Sequence, residues 1–278
     1  MNKKNTALML GVLCVLIMGA VFLKRGEIAL FFREQERAAL PAPVAYKEAI
    51  SEHVLEPTVT ETVVPVEPKK DNTQPVAPKT TEKPLAAEVH LAVPFTAQAP
   101  TGNWKMPFKE ACEESSVLMV HAYYSGITTR TLDAKESERI IEEMSVLQES
   151  LFGSSVDTTA AETGLFAEEF YGYGPSEVLE NPTIADLKDR LNQGQPILLP
   201  AAGRILKNPN FIPPGPEYHM LVIRGYTKDN QFITNDPGTR HGESYLYSFD
   251  VIMEAMHDLD TDNMLNGKKV VLILHPKR

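Results

Sequence analysis

Between Pro41 and Ala87 the chain reads PAPVAYKEAISEHVLEPTVTETVVPVEPKKDNTQPVAPKTTEKPLAA, dominated by proline, threonine, lysine and glutamate and nearly devoid of aromatic side chains. Such a composition cannot bury enough apolar surface to offset the entropy of ordering, and its prolines keep the backbone extended. The expectation is a semi-stiff, disordered tether. Anything that folds must lie on one side of it or the other.

On the N-terminal side, TALMLGVLCVLIMGAVFL runs from Thr6 to Leu23 between Lys3–Lys4 and Lys24–Arg25. That is close to the shortest apolar helix that crosses about 30 Å of hydrocarbon. No small-x-small cleavage site follows it, and Cys14 lies mid-run, so neither a cleaved signal peptide nor a lipoprotein signal fits. Residues 1–25 are therefore expected to be a retained single-pass anchor, with the soluble part outside the cytoplasm. Gly26–Leu40 reads as a short charged helix, and residues 26–88 together as a linker.

On the C-terminal side, residues 89–278 have the length of one ordinary domain. VHLAVPF reads as a short strand, and a helix is predicted from about Lys109 to Tyr124. Thr131–Leu147 and Thr158–Phe170 have helical periodicity. IADLKDRLNQG is an amphipathic helix closed by Gly194, and QPILLPAAG a buried strand. YHMLVIRGYT and QFITNDPG form a strand pair across the turn KDN; SFDVIMEAMHD is a helix and KKVVLILH a last strand. Helices precede a run of antiparallel strands, so the fold class is α+β.

Charge and cysteine content narrow the function. A net charge of −10 with a pI near 5.3 argues against nucleic acid as a partner. Only Cys14 and Cys112 are present, with neither CxxC nor a Cys/His zinc spacing, so no disulfide framework and no metal or organic cofactor is expected. A metal site from His219, Asp236, His241 and Glu243 lacks the HExxH helix spacing.

Cys112 stands in FKEACEESSVLMVHAYY, where a helix begins a few residues after Pro107. A helix N-terminus lowers the pKa of a thiol, so this is a position suited to a nucleophile, although on position alone a buried, inert cysteine is the commoner case. Glu113 and Glu114 suit a first helical turn, but their charge opposes a thiolate and is expected to turn away from it. A nucleophile also needs an imidazole. His121 is too far along the same helix, His241 lies in the loop PGTRHGES, and His53, His90, His257 and His275 lie at segment edges. His219 opens the strand HMLVIRGY directly after a loop, where positioned side chains are often mounted. Asn235 and Asp236 lie on the following strand and point to opposite faces, so only one can orient His219. The chain order Cys112, His219, Asp236 is the papain-like order.

With these residues, VPFTAQAP, GNW, CEESSVLM, GQPILLPAAGR, EYHMLVIRGY and ITNDPGT resemble the C-thirty-nine-like cysteine peptidase domain, a papain-like family related to the bacteriocin-processing double-glycine leader peptidases. The resemblance covers residues 89–278 and neither the anchor nor the tether. It implies a papain-like fold with a Cys112–His219–Asp236 triad, Gln98 as oxyanion-hole donor, and a peptide or protein substrate. Two features depart from the processing peptidases: Glu113 and Glu114 replace the usual Gly-Pro, and Gln98 lies 14 residues before Cys112. Trp104 either lines the cleft or anchors its loop. The reading is a membrane-anchored cysteine peptidase or amidase. A catalytically inactive binding module on a stalk, or an acyl transferase using the same thioester, would carry the same motifs. One apolar run cannot form a translocation pore, so no ABC transporter is expected in the same chain.

Overall fold

The structure, a computed structural model, describes residues 31–54 and 86–277. The chain divides into two compact units, Met1–Pro41 and Ala42–Arg278. In the first, residues 31–38 are helical. The expected anchor over residues 1–25 lies outside the described residues, and among those described no helix is long and apolar enough to cross a membrane.

The second unit is α+β. Among the described residues its seven strands are β1 (Val89–His90), β2 (Gly174–Glu180), β3 (Ile197–Ala202), β4 (Tyr218–Tyr226), β5 (Gln231–Asn235), β6 (Tyr245–Ser248) and β7 (Val270–His275). They pair antiparallel throughout, in the order β2-β7-β3-β4-β5-β6, with β1 against the end of β4. Every residue of β4 is buried, which is why YHMLVIRGY is so apolar for an antiparallel strand: both its faces are covered. At Gly225 a Cβ would fall 2.1 Å from the Val89 carbonyl oxygen. Glycine is what lets β1 close onto β4.

Among the described residues six α-helices frame the sheet: α1 (Tyr46–Val54), α2 (Cys112–Tyr124), α3 (Ala134–Phe152), α4 (Ala160–Tyr171), α5 (Ile184–Asn192) and α6 (Phe249–Ala255). Their starts follow local chemistry. Asp133 accepts from the Lys135 and Glu136 N–H groups at the head of α3, and Thr159–Glu162 and Thr183–Asp186 form capping boxes on α4 and α5. Gly153 and Gly172 end α3 and α4 in the left-handed region. Helix α2 packs against β4 and is buried along nearly its whole length, only His121 and Tyr124 being partly open. Fully buried side chains such as Val117, Met119, Leu221 and Ile223 each contribute about 1.5–3 kcal/mol. This packing holds the first turn of α2 against the first residues of β4.

The structure corrects the linker expectation over part of its length. Val44 bridges to Leu91, α1 is helical, Tyr46 rests edge-on against Tyr123 and Tyr124, and Ala49 is buried. Apolar residues at Val44, Tyr46 and Ala49 supply a contact face that the proline-rich remainder lacks. The rest of the expected tether, residues 55–85, lies outside the described residues. Strands β2 and β6 had no counterpart in the sequence reading.

Candidate active site

A short 3-10 turn over Phe108–Glu110 leads through Ala111 into α2, whose first residue is Cys112. The thiol is therefore beside the unpaired N–H groups of a helix N-terminus, and it is 4% exposed. It donates to Glu113 Oε2 at 3.0 Å and accepts from the Met220 N–H at 3.3 Å. Thus the sulfur touches β4 at the residue next to His219. The other oxygen of Glu113 accepts from the Thr158 N–H at 2.8 Å. Ionisable atoms of Cys112, Glu113 and Asp157 all lie within 4.8 Å of one another. This is the one such donor grouping among the described residues. Within it the Cys112 thiol is hydrogen-bonded to Glu113, whose other oxygen is taken by the Thr158 N–H.

The expectation that Glu113 and Glu114 would turn away from the sulfur fails for Glu113. Both carboxyl groups are fully buried. Glu114 faces α3, where its Oε1 accepts from the Ser145 hydroxyl at 3.1 Å. Burial pushes Glu113 well above the carboxylate range, with Glu114 and Asp157 adding to the effect. Burial raises Glu114 to about 8 and Asp157 to about 6. The Cys112 thiol is pushed well up as well, first by burial and then by Glu113 and Asp157, against the Met220 N–H. In this arrangement the thiol is at rest, protonated.

The imidazole side is built differently. Asp236 Oδ1 lies 2.8 Å from His219 Nε2, and Oδ1 also accepts from the Gly238 N–H at 3.0 Å. Oδ2 accepts from the Tyr247 hydroxyl at 2.7 Å and from Asn208 Nδ2 at 2.9 Å. Burial pushes the Asp236 carboxyl up, but the His219 ring and these donors outweigh it and hold the pKa below its ordinary value. An ionised carboxylate only accepts, so His219 Nε2 carries a hydrogen and faces Asp236, which leaves Nδ1 as the ring nitrogen turned away from it. Phe211 meets the ring edge-on at 5.4 Å, and a Cβ at position 238 would come within 2.9 Å of His219 Cε1. Gly238 is therefore a requirement of this ring position.

Asn235, the neighbour that competes with Asp236 in the sequence, points the other way. Its amide donates to the Val93 and Pro94 carbonyls, and its Oδ1 accepts from Arg224 Nη1 and the Ser244 N–H. One residue of the pair serves the ring and the other fastens the β5 end to the segment after β1.

Gln98 is drawn into the same neighbourhood despite its distance in sequence. Its backbone N–H donates to the Pro237 carbonyl, and its side-chain amide donates to the carbonyls of Phe108 and Lys109 at 3.1 and 2.7 Å. It ties the loop after Asp236 to the turn before Cys112, with both amide hydrogens engaged. Trp104 is 44% exposed. His121 is stacked on Tyr171 and bonded to Tyr173, and His257 Nδ1 lies 2.9 Å from the Gly267 carbonyl. Among the described residues His219, Asp236, His241 and Glu243 do not gather as a ligand group, and Glu243 pairs with Arg130. Sequence reasoning missed Asn208, Tyr247, Asp157 and Thr158, none of which lies in a motif.

The sequence matches the profile of the Peptidase_C39 like family over residues 90–258. The chain belongs to this family. The match spans Gln98, Cys112, His219 and Asp236. No curated protein matches the chain. Among solved structures, a proposed C39-like peptidase from Bacillus anthracis is similar at 15% identity and a TM-score of 0.45, with 68% of this chain and 98% of that one covered.

Proposed function

We propose that the chain is a cysteine peptidase or amidase in which Cys112 is the nucleophile, His219 its base and Asp236 the group that orients the base. The observation that carries this reading is the pairing of His219 Nε2 with Asp236 while the Cys112 sulfur rests on the adjacent residue of the same strand, at a helix N-terminus. Family membership supports it.

In this reading His219 Nδ1 takes the Cys112 proton, and the thiolate attacks a peptide or amide carbonyl. The imidazolium, stabilised by Asp236, then protonates the leaving amine, and water releases the thioester. The Cys112 backbone N–H, in the first turn of α2, is one oxyanion donor. Gln98 is the second only if its amide gives up the bond to Phe108 or Lys109; as bound, it fixes the turn that presents Cys112. Residues 1–25, on the strength of their apolar run alone, would hold the domain to a membrane with the domain outside the cytoplasm.

Iodoacetamide labelling of Cys112 in the full chain tests the pairing. Wild type should label fast at pH 7, and His219→Ala should slow it by about two orders of magnitude, as befits loss of an activating base. Equal rates in the two proteins would sink the enzyme reading. The rival, an inactive binding module, is favoured by one observation: the thiol bonds to Glu113 and is raised by burial. That reading predicts slow labelling in both proteins.

A further inference from the structure

The proposed triad leaves Glu113 without a task, although its carboxyl is hydrogen-bonded to the sulfur. Its hydrogen-bond partners give it one. Glu113 is fully buried, and the groups facing it are Cys112 and Glu114 on α2, Asp157 on the loop before α4, and Tyr218 on β4 beside His219. None of those that touch it is a cation. A carboxylate enclosed in this way has no compensation for its lost hydration, so the neutral acid is the form that fits.

A neutral carboxyl has one O–H and one carbonyl oxygen. Oε1 accepts the Thr158 N–H, which fits it as the carbonyl oxygen. The hydrogen then belongs to Oε2, whose neighbour at 3.0 Å is the Cys112 sulfur. The distance suits either direction of donation: S–H to oxygen while the thiol is intact, and O–H to sulfur once the thiol has lost its proton.

We propose that Glu113, as a carboxylic acid, donates a hydrogen bond to the Cys112 thiolate and is a further catalytic residue of this site. The proposal rests on the reading of Cys112 as nucleophile. In the activation step the S–H bond breaks and its proton forms an N–H bond at His219 Nδ1. The Glu113 hydrogen stays on Oε2 and turns toward the sulfur, which now carries the charge. The sulfur then has two donors, Glu113 O–H and the Met220 N–H. This explains how a thiol with acidic neighbours on two elements can still ionise: the nearest acid has to be neutral, and it then acts as a donor. It also gives the Glu after Cys112 a function that a small residue cannot supply.

Two variants of the full chain separate donor from acceptor. Glu113→Gln keeps an oxygen for the Thr158 N–H and offers Nε2–H to the sulfur, so the neutral donor survives. Its labelling by iodoacetamide at pH 7 should stay within about threefold of wild type, with the apparent thiol pKa from the pH profile unmoved. Glu113→Ala loses the donor, and its labelling should fall about ten- to a hundredfold, the range for one hydrogen bond to a charged group. Rates equal to wild type for Glu113→Ala would overturn the proposal. So would a tenfold or greater rise for Glu113→Gln, because wild-type Glu113 would then be a repelling carboxylate. Infrared difference spectra of wild type minus Glu113→Gln at pH 7 give a readout independent of activity and folding rate. The proposal requires loss of a protonated-carboxyl C=O band, and loss of a carboxylate band instead would reject it. Failure of the nucleophile reading shows separately, as labelling insensitive to His219→Ala.

Discussion

Two carboxyl groups flank the candidate site, and the protein treats them in opposite ways. Asp236 receives four donors, from His219, Gly238, Tyr247 and Asn208, and is held as a carboxylate. Glu113 receives a backbone N–H and a thiol, has acids for company, and is held toward the neutral acid. Both are fully buried. Burial therefore does not decide the charge state; the donor count and the sign of the neighbours do. The lesson is that a fixed charge and a fixed neutral group can stand on the two sides of one site: in the proposed mechanism only Cys112 and His219 exchange a proton, while Asp236 stays ionised and Glu113 stays protonated.

The largest effect should come from emptying the charged side. Asp236→Ala leaves the His219, Tyr247 and Asn208 donors without their acceptor in a buried pocket. Loss of one partner of such a network costs about 3–5 kcal/mol. Urea denaturation of the full chain should show that loss of stability, and labelling of Cys112 should fall to the His219→Ala level. A variant as stable as wild type would mean that Asp236 is not the anchor of the pocket.

Much of this contrast could be read from the sequence on one side and little on the other. The start of α2 at Cys112 follows from Pro107 and the apolar run after it, and the β4–β5 pair from YHMLVIRGYT, the turn and QFITNDPG. With those two elements placed, His219 and one of Asn235 and Asp236 were bound to meet. The donors to Asp236 were not legible, because Asn208 lies in an irregular loop and Tyr247 is the one buried residue of β6, a four-residue strand without alternation. The same holds for β2, GPSEVLE, which is partly exposed along most of its length and carries no clear alternation. Glu113 was visible but misjudged. Its helix-first-turn position argues for an outward charge, whereas the approach of Thr158, a contact across 45 residues, captures it inward. Residues 42–54 were grouped with the tether because composition averages over a window, and the docking of Tyr46 rests on individual side chains.

A smaller change sharpens the comparison from the charged side. Tyr247→Phe removes one donor of the four and leaves the ring contact with Tyr245 in place. Since a hydrogen bond to a charged group contributes about 1.5–3 kcal/mol and three donors remain, the loss should fall at the low end, about 1.5 kcal/mol. The apparent pKa of Asp236, followed by NMR, should rise toward its ordinary value. If stability falls without that rise, Tyr247 is acting by packing.

The smallest expected effect lies on the acidic side and has the opposite sign. Asp157 is raised to about 6, first by burial and then by Glu110, and its backbone sits at φ 34° in the left-handed region. Asn accepts that backbone as readily as Asp and carries no charge. The folded protein binds the Asp157 proton more tightly than the unfolded chain, whose pKa is near 3.9. The stabilisation from this protonation is thus fully present below about pH 4 and is lost as pH rises through about 6. Asp157→Asn should therefore exceed wild type by more at pH 8 than at pH 4.5, the gain at pH 8 being about 1 kcal/mol, discounted from the full linkage value because the group is partly solvated. Urea midpoints at the two pH values measure the difference. Asp236→Asn, on the charged side, should lose stability at pH 8, where wild-type Asp236 is ionised and the amide nitrogen presents a donor to donors. If both variants changed stability in the same direction at pH 8, the two carboxyl environments would not be opposites.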